Sequence, residues 1–201
     1  MNCLTGGFIH RRHDGVRDIL AQIMDQVSYD VRIEPQLQPL SGEILEPGSN
    51  LEDEARTDFA ARGYWTKAEI AHFDVKVFNP YAKSNLGSTL VALFKRNESA
   101  KKKEYGDRII RVEHGSFTPV VLSAYGGFGV ETSRFIASLI DKVSTKRDLH
   151  RSFVANYIRT KLSFHLVRSQ TLCIRGSRSL YTPTINLGDA EIVQEASGIN
   201  P

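Results

Sequence analysis

Between Arg56 and Pro80 the chain reads RTDFAARGYWTKAEIAHFDVKVFNP. Each of two strand-like runs carries an acid, Asp58 and then Asp74, and Lys76 follows the second acid by two residues. Side chains alternate faces along a strand, so Phe73, Val75 and Val77 form an apolar row while His72, Asp74 and Lys76 form a polar one. Unpaired charge resists burial. Two carboxylates on adjacent strands with an ammonium beside them suit metal-assisted cleavage of a phosphodiester. Hard oxygen ligands hold Mg²⁺ or Mn²⁺ together with phosphate oxygens. The ion acidifies a bound water, and a lysine orients that water or offsets the charge that develops. A D-x-K spacing is also common among surface ion pairs, so its weight depends on the rest of the chain.

The elements that must position these groups read as follows. Residues 1–12 are a Gly-containing lead-in ending in Arg11 and Arg12, beside His10 and His13. A helix is expected from His13 or Asp14, with Val16, Ile19, Leu20, Ile23 and Val27 on one stripe. DVRIEP then reads as a short strand limited by Pro35, with Glu34 near its end. Residues 36–50 read as loop, with a short strand at Glu43–Leu45. After Asn79-Pro80, Ser84 is the expected N-cap of a helix bearing Leu86, Leu90 and Phe94. Lys101, Lys102 and Lys103 continue it to about Tyr105. RIIRVEH and SFTPVVLSAY read as two further strands, and GGFG as a tight turn into a helix bearing Phe135, Ile136, Leu139, Ile140 and Val143. That GGFG lacks the glycine spacing and following acid of a dinucleotide site. A last helix is expected from about Asp148 to Thr171, with His165 as a core histidine. Residues 180–201 lack periodicity and read as a frayed, disordered tail.

The chain has 201 residues, 41% hydrophobic and 24% charged, which suits one soluble domain with a substantial core. No apolar run approaches the roughly 18 residues of a membrane span, and the N-terminus lacks the apolar stretch of a signal peptide. Two cysteines, Cys3 and Cys173, make no disulfide framework; a reducing, intracellular compartment is the expectation. The net charge of +3 is unevenly spread: residues 1–55 hold four Arg against ten acids, and residues 142–178 hold nine Lys or Arg against Asp148 alone. A basic half on a nearly balanced chain points to a polyanion partner, or simply to a solvated basic face.

The order helix, strand with Glu, strand with Asp, strand with Asp-x-Lys, helix, strand resembles the PD-(D/E)xK restriction-endonuclease-like superfamily. Here the motif reads T-D, fifteen residues, then D-V-K. More narrowly, RRHDGVRDILAQIMDQVSYDVRIEP is similar to the start of the restriction-like endonuclease domain of site-specific non-LTR retrotransposons. In that group a CCHC zinc knuckle lies just upstream, and Cys3 with Gly6-Gly7-Phe8 resembles its closing end. The likeness covers residues 3–80 well; over 81–180 only the order of elements agrees.

The resemblance implies an α/β fold, a restriction-endonuclease-like central mixed sheet flanked by helices, with extra C-terminal helices. The nuclease domain would span 13–179. It implies that Asp58 and Asp74 bind Mg²⁺ or Mn²⁺, with Glu34 as auxiliary acid and Lys76 as catalytic lysine. Arg12, His13 and Arg17 match a basic helix start that touches DNA, and Arg11 and Lys101, Lys102 and Lys103 are expected to grip phosphates as well. Thr57 stands where the motif has proline, and the other zinc ligands and a polymerase domain are absent from this sequence. A metal site of Cys3, His10 and His13 is a further candidate. The function implied is a magnesium-dependent DNA endonuclease of retroelement origin that nicks a target site, nuclear in a eukaryote. The alternatives are a catalytically inactive nucleic-acid-binding domain of the same fold and a structural domain whose acids are surface residues.

Overall fold

A computed structural model describes residues 7–175. Cys3, Arg178 and the tail at 180–201 lie outside the described residues, and with Cys3 goes any view of a Cys3, His10, His13 site. The first helix, α1, spans Phe8–Met24 and so begins before His13, inside the expected lead-in. Its buried residues include Phe8, Arg12, Val16 and Leu20, four apart, so the inward stripe runs straight through the basic cluster. The polar run HRRH interrupts the apolar pattern there and hides that first turn in the sequence.

Strands β1 (Tyr29–Ile33), β2 (Phe59–Arg62), β3 (Ile70–Phe78) and β4 (Ser116–Ser123) form one sheet in the order β1-β2-β3-β4. The pairings β1/β2 and β2/β3 are antiparallel, and β3/β4 is parallel with Asp74 opposite Pro119. Pro119 is tolerated because β4 is an edge strand. Phe59 and Phe73, paired in register, stack at 4.7 Å. No strand forms at Glu43–Leu45.

The parallel pair is joined by α2 (Leu90–Lys101), capped by the Thr89 hydroxyl, which accepts from Ala92 N at 3.3 Å. Ser84 lies instead in a 3₁₀ turn, Lys83–Asn85; Gly87, at φ 82°, separates that turn from the helix. Two π-helical turns, Lys102–Gly106 and Ile109–Glu113, continue α2. RIIRVEH is therefore helical and not a strand. Ile109 and Val112, three apart, are buried while Ile110 is exposed, a helical period.

Helices α3 (Val130–Arg147) and α4 (Arg151–Arg175) complete the fold. The turn before α3 needs glycine for room: a Cβ at Gly129 would lie 2.1 Å from Glu98 Oε1. That buried carboxylate accepts from Glu131 N at 3.0 Å and caps α3. The main core joins α1, α3 and α4 to one sheet face through Val16, Leu20, Phe73, Val75, Phe135 and Ile158. On the other face Leu93 and Phe94 of α2 pack on Phe78 and Val121, and Tyr105 and Ile109 pack with Leu37 and Ala55. The result is an α/β protein with a mixed four-stranded sheet flanked by helices. No helix among the described residues is long and apolar enough to cross a membrane.

Candidate active site

Where β2 begins, the Asp58 N–H donates to Phe73 O at 3.1 Å, carrying the β2/β3 ladder one residue past Phe59. The Asp58 side chain then takes over: Oδ2 accepts the N–H of Val75, and Oδ1 meets His13 Nε2 of α1 at 2.7 Å. The bond to Asp58 raises the His13 pKa, against the opposing effect of burial. This strand-to-strand grip brings the two expected acids together, because Val75 directly follows Asp74.

Asp74 is buried, 6% exposed. Its Oδ2 lies 3.1 Å from Lys101 Nζ yet has no aligned hydrogen bond. Burial pushes the carboxyl up to about 6 and the nearby charge of Asp58 adds to that, while Lys101 opposes both. Lys101 is also 3.0 Å from Glu104 Oε2 and sits over the Tyr105 ring at 5.2 Å. Burial works against its charge, but Asp74 and Glu104 outweigh that and raise its pKa. Burial and the same two acids push Tyr105 up to about 12. Three carboxylates thus share one ammonium and one imidazole. The site is short of positive charge, and a divalent cation would supply it.

His72, one polar-row position before Asp74, is buried and bonds Thr57 Oγ1 through Nδ1 at 3.1 Å, and its Nε2 has no partner. Burial lowers its pKa, favouring the neutral ring. Thr57, where the resembled motif has proline, therefore fixes the row that carries Asp74.

The other expected site residues are placed as follows. Lys76 shares Asp74's side of β3, is exposed, and has no ion pair among the described residues. The Glu34 N–H donates to Asp58 O at 2.9 Å, so the backbones are neighbours. Its carboxylate, however, is held by Arg17, which also bonds Asp18 Oδ1 at 2.9 Å. Glu34 thus faces Arg17 and not the acid pair, and no group of three His, Cys, Asp or Glu among the described residues is arranged to hold a metal ion. The expected three-acid cluster is reduced to two.

Several residues expected to meet nucleic acid are buried or paired with acids of the protein itself. Arg12 is 3% exposed, with Nε and Nη1 unpartnered, and burial lowers its pKa. His13 is committed to Asp58, Arg17 to Glu34 and Asp18, Lys101 to Asp74, and Lys102 to Glu131 at 2.7 Å. Arg11 and Lys103 remain exposed.

Sequence reasoning missed His13, Lys101, Glu104 and Tyr105 as neighbours of the acids. The run Lys101–Lys103 gives no sign which lysine turns inward; only the docking of α2 on the sheet selects it. No protein-family model matches the chain, and no curated protein matches it either.

Proposed function

We propose that this protein is a metal-dependent DNA endonuclease with a restriction-endonuclease-like fold, of the kind found in retroelements. The observation that carries the reading is the pairing of buried Asp74 with Asp58 at the start of the β2/β3 ladder, beside Lys101 and with too little positive charge. Two hard carboxylates, one with a buried oxygen approached by Lys101 alone, fit Mg²⁺ or Mn²⁺, which such sites complete with substrate phosphates. The ion would acidify a water and polarise a phosphoryl oxygen. Within the chain, Asp58 and Asp74 supply the ligand oxygens, and His13 fixes the Asp58 carboxylate at 2.7 Å. Lys76, exposed on Asp74's side of the strand, orients the attacking water or meets the phosphate charge. Lys101 holds Asp74 in place. Exposed Arg159 and Arg168 on α4 offer phosphate contacts.

A plasmid-relaxation assay in Mg²⁺ and Mn²⁺ tests this. Asp74→Ala should reduce nicking at least ~100-fold and leave duplex binding intact. Lys76→Ala should reduce nicking without loss of thermal stability, whereas Lys101→Ala should lower both. An Asp74→Ala protein that nicks as fast as wild type would overturn the reading.

One observation favours a second reading, a nucleic-acid-binding domain without catalysis: both Asp58 oxygens are already bonded and Lys101 occupies the Asp74 side. Binding that falls steeply with salt, with no cleavage in either metal, would select it.

A further inference from the structure

Because β3 and β4 are parallel, their carboxyl ends lie at the same end of the sheet, where Ala124 N donates to Phe78 O at 2.7 Å. From there the chain departs to opposite faces. After β3 it leads to α2, which packs on Phe78 and Val121; after β4 it leads to α3, which packs in the main core. Such divergence at the carboxyl ends of parallel strands opens a crevice and is a common place for ligands. Here it holds a groove of about 370 Å³, lined by residues that include Tyr81, Asn85, Leu86, Ser123 and Tyr125.

Two features make this groove more than a gap between loops. Tyr81 is 73% exposed and Tyr125 48% exposed, and their rings meet edge to face at 5.3 Å and 80°. The floor is ordered: Asn85, nearly buried, donates to Asn79 O at 2.7 Å and accepts from Arg96. Around it, residues 80–97 contain Lys83, Lys95 and Arg96 and no acid, and Lys83 and Lys95 are exposed. Paired aromatic rings beside a segment that carries exposed lysines and no acid match a base stacked next to its phosphates.

We propose that Tyr81 and Tyr125 form a stacking platform for an unpaired base of single-stranded DNA, with Lys83 and Lys95 meeting the flanking phosphates. The proposal rests on the nucleic-acid reading above but not on its cleavage step. From Asp74 to Phe78 is about 14 Å along β3, so one oligonucleotide reaches both places. A segment freed next to a nick would provide such a base.

The test uses the full chain in EDTA, where cleavage does not interfere. A labelled single-stranded 12-mer and the same sequence as a blunt duplex are titrated by fluorescence anisotropy. Tyr81→Ala should weaken single-strand binding about tenfold and leave duplex binding unchanged; Tyr81→Phe and Tyr125→Phe, which keep the rings, should bind as wild type. A 2-aminopurine base in the 12-mer should be quenched on binding wild type and not Tyr81→Ala. Unchanged single-strand affinity in Tyr81→Ala at unchanged melting temperature overturns the platform. So does a wild-type dimer that Tyr81→Ala converts to monomer, which would make the patch an interface between copies. Binding to anionic vesicles that Tyr81→Ala alone abolishes would do the same. Loss of single-strand binding in a protein that never nicks would sink the endonuclease and keep the platform. Normal nicking with unchanged single-strand affinity would do the reverse.

Discussion

Asp74 carries a cost that the rest of the molecule tolerates. Its carboxyl is raised from 3.8 to about 6, first by burial. Between those values the folded protein holds a proton that the unfolded chain has released, so stability falls as pH rises through that window and then levels. An Asp74→Asn protein escapes the fall. It should unfold at the same temperature as wild type near pH 4 and at a higher one above about pH 6.5, a gain on the order of 2 kcal/mol, reduced by what Lys101 loses. Melting curves across pH check this, and equal curves at pH 7 would show that Asp74 is not strained. A residue whose removal stabilises the fold is one kept for something other than the fold. His13 differs in cause: its bond to Asp58 raises its pKa, so that contribution to stability is present at low pH and is lost as pH rises through the folded value.

At the scale of elements, the close crossing of α1 and α4 is what holds α1 where His13 meets Asp58. The crossing depends on Gly15: a Cβ there would sit 1.9 Å from His165 Cε1. His165 in turn meets Arg12 O through Nε2 at 3.1 Å, as a satisfied histidine between helices. Gly→Ala inside a helix ordinarily gains up to about 1 kcal/mol, but overpacking a tight contact costs about 1–3 kcal/mol. Gly15→Ala should therefore be net destabilising, with the His13–Asp58 contact loosened, readable as a lower melting temperature and a His13 pKa closer to its ordinary value by NMR. A stabilised variant would mean that the helices can part without cost.

Across the whole molecule, the long segment between β1 and β2 has little regular structure and is tied to the π-helical turns by several contacts, of which those of one buried arginine are the most numerous. Fully buried Arg108 donates from Nη1 to Asn50 O at 2.9 Å and Glu52 O at 2.7 Å, and from Nη2 to Gln38 O at 2.8 Å. Arg108→Met should cost about 2–4 kcal/mol and raise amide exchange over residues 38–55 ahead of the core strands; uniform exchange would show that the segment is held by other contacts. The sequence by itself determined most of the local structure: the period-2 rows of β3, the 3.6-period stripes of α1 and α3, and the two acids that meet, because alternation and spacing are properties of the chain alone. It also suggested wrong partners. Glu34 was expected beside the acids and pairs with Arg17; Arg12 was expected at the surface and is buried; RIIRVEH was expected as a strand and is helical. Which cation reaches which carboxylate depends on how α1 and α2 dock on the sheet, through contacts between residues far apart in the chain, and no local pattern encodes that choice.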